Sequence, residues 1–123
     1  MKDIEIYHNK AMDLADEADM AKASGDIVSA KNLYAEAFHK EFHAASLAEI
    51  FNMEPSHSIL LKSAACLAFD ASMFDNCKRI IAKILASVRT PKEILAEMTE
   101  LKSSIPESNK CTAAEPVVKF TIK

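Results

Sequence analysis

Gly25-Asp26-Ile27-Val28-Ser29-Ala30-Lys31-Asn32-Leu33-Tyr34-Ala35-Glu36-Ala37 is the stretch on which the fold turns. Gly25 is the sole glycine of the chain, and it stands where one periodic apolar segment stops and a second begins. Glycine enters the left-handed backbone region that ends a helix without steric cost. The carboxylate of Asp26 can accept hydrogen bonds from the free N–H groups that open the next helix. Upstream, residues 4–23 place Ile6, Ala11, Leu14, Ala18 and Ala21 at helical spacing. Downstream, residues 27–51 keep Ala30, Leu33, Tyr34, Ala37 and Ala48 on one face, and Phe38 and Phe42 widen the stripe. Two long helices on either side of so short a turn predict an antiparallel hairpin.

The remaining punctuation extends this pattern. Asn52-Met53-Glu54-Pro55-Ser56 interrupts the second helix, because Pro55 disfavours helical geometry at Glu54 yet suits a helix start. A third helix is expected over residues 56–71, where Ile59 to Phe69 leave almost no polar face. Ser72-Met73-Phe74-Asp75 has the spacing of a capping box and opens a fourth helix to about residue 88. Thr90-Pro91-Lys92-Glu93 has the same spacing and opens a fifth to about residue 103, with Ile94, Leu95, Met98 and Leu101 on one side. Residues 1–103 therefore read as one helical domain. Residues 104–123 lack helical periodicity and read as a tail, either disordered or a strand that forms on a partner. Within it, Val118, Phe120 and Ile122 alternate with polar residues.

Composition supports an all-α fold of about five helices. Half of the 123 residues are hydrophobic, yet there is no Trp and only two Tyr, a balance suited to packed helices rather than sheets. The net charge of -3 disfavours a phosphate-binding surface, so no nucleic-acid partner is expected. No run of 18 apolar residues occurs and the first residues do not resemble a secretion signal, so neither a membrane partner nor export is expected. Cys66, Cys77 and Cys111 show no paired spacing and read as reduced structural thiols. A cytoplasmic location fits these features.

With the hairpins in place, the chain resembles the tetratricopeptide-repeat family. The segment from Gly25 to Ala37 is similar to the second half of such a repeat, with Leu14, Ala18 and Ala21 at the packing positions of its first helix. A second copy lies over Leu61, Ala65 and Ala68, the turn at Phe74, and Cys77, Ile81 and Ile84. Ala30 and Cys77 are further apart than the family's period of about 34 residues, so the first unit has an extended second helix. More narrowly, Tyr7-His8-Asn9-Lys10-Ala11-Met12-Asp13-Leu14-Ala15 and Glu54-Pro55-Ser56-His57-Ser58-Ile59-Leu60-Leu61-Lys62-Ser63-Ala64-Ala65 resemble a group of uncharacterised bacterial tetratricopeptide-like proteins. That resemblance covers roughly residues 4–103 and brings no activity with it.

The resemblance implies a concave surface lined by the first helix of each pair. It would present Met12, Ala15, Asp16, Asp19 and Lys22 beside Ile59, Lys62, Ser63, Cys66, Phe69 and Asp70, an apolar floor with mixed charges suited to a helix or peptide. The fifth helix either caps this surface or closes the end of the stack. The function expected is protein binding, as a scaffold, adaptor or small regulatory subunit that needs no cofactor and has no catalysis of its own. The partner is a protein or peptide, with a homodimer as a further outcome, and the tail can contribute through Val118, Phe120 and Ile122. The alternative is a metal- or small-ligand-binding protein, or a minor enzyme. His39 and His43 stand at i and i+4 with Glu41 between them, a spacing that can hold a metal. The order differs from H-E-x-x-H and a third ligand is missing, so a solvated or partly packed pair is the plainer reading.

Overall fold

A computed structural model describes residues 2–106 as five α-helices: α1 (Lys2–Ala23), α2 (Ile27–Ile50), α3 (Ser56–Asp70), α4 (Phe74–Ala86) and α5 (Lys92–Ser104). Each helix packs on its neighbour in sequence, and α5 also packs on α3. Side-chain pairs fix the directions. His8 meets Glu41 and Asp19 meets Tyr34, so α1 and α2 are antiparallel; Phe69 meets Phe74 across the α3–α4 turn. Lys83 of α4 reaches Glu49 of α2, and Lys62 of α3 reaches Glu97 of α5. Phe38 and Phe42 share a groove with Asn76 and Ile80 while Glu49 meets Lys83, so α2 and α4 run in the same direction.

The helices approach closely because their contact stripes are alanine. Ala11 and Ala18 on α1, Ala37, Ala44, Ala45 and Ala48 on α2, and Ala64, Ala65 and Ala68 on α3 are all fully buried. Small side chains bring two backbones together, and dispersion contacts among many atoms then replace the area that larger residues would bury. α4 supplies the bulk, with Ile81, Ile84 and Cys77 enclosed, and α5 adds Ile94 and Met98. α5 runs to Ser104, and Ile105, just past it, is also buried. The expected strand residues Val118, Phe120 and Ile122 lie outside the described residues.

Three turns share one device. Gly25, Asn52 and Ser72 all have positive φ, at 91°, 54° and 63°. The amides that follow reach back five residues: Asp26 to Ala21 O, Met53 to Ala48 O and Met73 to Ala68 O. This is the Schellman closure of a helix end. It overturns the capping box expected at Ser72, whose backbone closes α3 and whose side chain caps nothing in α4. The second expected box fails as well. The Thr90 hydroxyl turns inward and donates to Ile84 O at 3.0 Å, leaving α5 without a side-chain cap. Asp26 behaves as expected: it accepts from Ser29 N at 3.2 Å, and hydrogen bonds from Ser29 hold its carboxyl below the usual range.

Candidate functional site

The residues expected on a concave face come from α1 and α3, which approach one another through charged side chains. Asp19, Lys22 and Asp70 come from different hairpins yet lie within electrostatic reach of one another. Burial raises the Asp70 carboxyl; Lys22 opposes that shift and Asp19 adds to it. Asp19 also accepts the Tyr34 hydroxyl, and this bond, together with burial and the nearby Asp19 and Asp70 charges, pushes Tyr34 up to about 12. Asp16 is exposed on α1 and Met12 is half-buried. On α3, Ile59 is 51 % exposed, Ser63 is half-buried, and half-buried Phe69 meets Phe74 edge-on at 5.6 Å. Lys62 is engaged: its Nζ lies 2.9 Å from Glu97, so α5 covers part of α3. Between them lies a cleft of about 340 Å3 that includes Cys66, whose thiol is raised by burial and then by Asp70.

His39 and His43 go to different neighbours. The His43 ring lies against Tyr7 of α1, with centroids 4.1 Å apart, while His39 meets Phe38 edge-on at 5.2 Å and faces α4. Glu41, between them in sequence, points the other way, into the core. Among the described residues no three His, Cys, Asp or Glu side chains converge in a way that could hold a metal ion.

Glu41 is the largest departure from the sequence reading. Its carboxylate is 0 % exposed, and both oxygens lie near His8 Nδ1, at 2.8 and 3.1 Å. The signal was present in the spacing. Ala37, Ala44, Ala45 and Ala48 stand three, four and seven residues away and form the buried stripe of α2, with Glu41 inside it. A carboxylate in that register needs a partner from a facing helix, and α1 supplies His8.

Two further recesses were not singled out from the sequence. A polar cleft of about 250 Å3 lies where the ends of α2, α3 and α4 meet, with Glu49, Asn52, Glu54, His57 and Arg89 around it. Burial alone would raise Glu54, but hydrogen bonds from Ser58 and from His57 Nδ1 hold it below the usual carboxylate range. That contact orients the His57 ring, and its buried Nε2 has no hydrogen-bond partner among the described residues. The second recess is apolar, a groove of about 410 Å3 between α2 and α4, lined by Phe38, His39, Phe42, Asn76, Arg79, Ile80 and Lys83. Phe38 and Phe42 stack at 5.7 Å on its α2 side.

None of the five helices is long and apolar enough to cross a membrane. No protein-family model, curated protein or solved structure matches the chain.

Proposed function

We propose that this chain is a non-catalytic protein-binding scaffold of tetratricopeptide-like hairpins, serving as an adaptor or small regulatory subunit. The observation that carries the reading is that charges of both signs from two hairpins, Asp19, Lys22 and Asp70, lie within electrostatic reach of one another, while Ile59 of α3 stays half exposed. An apolar contact set among charges of both signs suits recognition of a peptide or helix, since the apolar part supplies affinity and the charges set register. The helical-repeat pattern around Gly25 and Tyr34 supports the same reading, because stacked hairpins present long continuous surfaces. The cell interior is the compartment that suits its thiols.

Affinity capture of the tagged full-length chain from its native cell extract tests this, run beside an Asp16→Lys, Ile59→Glu variant. Both positions are solvent-facing, so the variant should keep wild-type helicity and melting. The expected result is a specific protein held by the wild type and lost by the variant. An identical set of captured proteins would refute this surface.

A further inference from the structure

We propose that the groove between α2 and α4 docks an acidic amphipathic segment of a partner protein. Its apolar side chains would enter against Phe38, Phe42 and Ile80, and its carboxylates would meet Arg79 and Lys83. The inference rests on the scaffold reading but uses a different surface from the α1–α3 face.

The floor is apolar and partly open. Phe38 and Ile80 are buried, whereas Phe42 remains 38 % exposed although it stacks on Phe38. At about 410 Å3 the recess is within the roughly 300–1,000 Å3 typical of ligand sites. α2 and α4 run alongside each other, so the recess is a channel between two helices, which is the shape that receives a third.

Charge selects the occupant. The chain is net acidic, yet α4 carries Lys78, Arg79 and Lys83 against Asp75 alone and is the one helix of the described five with a basic excess. Arg79 and Lys83 stand at i and i+4 beside Ile80, on the lip of the groove. Arg79 donates to Asn76 Oδ1 at 2.6 Å, a neutral partner, and among the described residues no carboxylate forms an ion pair with it. Lys83 pairs with Glu49 at 3.0 Å, but both side chains are about half exposed, at 48 % and 51 %, and such pairs exchange partners at little cost. Arginine and exposed aromatic residues at the edge of a recess are the types that dominate binding energy.

The acidic helix α1 of a second copy does not supply such a segment. It exposes Ile6 and Met20, but these are separated by about 21 Å along the helix axis, too far to enter one recess together. The occupant needs apolar residues three or four positions apart, flanked by Asp or Glu.

The probe is a fluorescein-labelled 16-residue helix-forming peptide with Leu and Phe at i, i+4 and i+7 and Glu or Asp elsewhere, beside its Gln and Asn counterpart. Anisotropy titrations use the full chain. The expected result is at least tenfold tighter binding of the acidic peptide, weakening as salt rises. Arg79→Glu with Lys83→Glu should lower its affinity at least tenfold, as should Phe42→Ser, while Ile59→Glu leaves it unchanged. The charge-reversed protein alters only exposed side chains, so it decides the matter should Phe42→Ser unfold. Equal binding of both peptides, binding untouched by charge reversal, or no binding to the wild type would overturn the proposal. Dissociation of a dimer by the peptide would also overturn it, by assigning the groove to a second copy. Ile59-dependent capture of a protein from extract, together with peptide binding that is absent or untouched by charge reversal, would leave the scaffold reading standing while this inference falls.

Discussion

Replacing His8 with alanine is expected to destabilise the fold far more than its half-exposed position suggests. Glu41 is 0 % exposed, and His8 Nδ1, at 2.8 and 3.1 Å, faces both of its oxygens. Removing His8 leaves a buried carboxyl group without its partner, a loss of about 3–5 kcal/mol where the pair is ionised and water stays out. The His8 side chain is 41 % exposed, so deleting its ring opens a path for water to Glu41. That relief lowers the expected loss to about 2–3 kcal/mol. In a domain of this size it corresponds to a fall in Tm of about 8–12 °C. Glu41→Met should be close to neutral, because an apolar side chain of similar length removes the need for a partner in the alanine-lined site. Urea unfolding followed by circular dichroism, run as a double-mutant cycle, measures both effects. His8→Ala in the Glu41→Met background should lose less than about 1 kcal/mol, giving a coupling of at least about 1 kcal/mol. If His8→Ala stays within about 0.5 kcal/mol of wild type, or if the two losses simply add, the carboxylate does not depend on His8 and the reasoning fails.

Four further outcomes follow from other features. Tyr34 keeps its proton up to about 12 in the folded chain against its ordinary 10.0, chiefly because it donates to Asp19. Its contribution to stability is therefore present below pH 10.0 and lost as pH rises through about 12; ultraviolet titration should show Asp19→Asn bringing that ionisation down. The Cys77 thiol is pushed up to about 11 by burial, then by the nearby Cys66 and Asp70. In a Cys111→Ser background, Cys77 should react with a disulfide reagent only on unfolding, and well after half-buried Cys66. Gly25→Ala should lower stability by about 1 kcal/mol through backbone strain alone, since nothing lies within 4 Å of an added Cβ. Ser72→Gly, at φ 63°, should raise stability by a similar amount in the same urea assay.

The helical course of the chain was legible because its signals are local. Gly25 followed by Asp26, and Pro55 after a polar break, mark helix ends through the backbone angles those residues favour. Ala30, Ala37 and Ala48 already marked the face of α2 that packs, whereas the near-continuous apolar run of α3 marked no single face. The capping boxes were misread for a reason the motif cannot express. Ser72 and Thr90 each have a side-chain oxygen and a backbone that can be used in two ways. At Ser72 the closure of α3 takes the backbone into the left-handed region; at Thr90 a buried carbonyl of α4 claims the hydroxyl.

What the sequence by itself determined is where helices start and stop and which stripe of each is apolar, since both follow from residues within a turn or two of one another. Only the tertiary structure decided the pairings that define the surfaces: His8 with Glu41, Asp19 with Tyr34 and near Asp70, and Lys62 with Glu97. It also set the two imidazoles of His39 and His43 against different neighbours and brought Phe42 of α2 beside Arg79 of α4. These partners are fixed by how closely alanine stripes let the helices approach and by the order in which the hairpins stack, and neither is encoded at the spacing of a single helix.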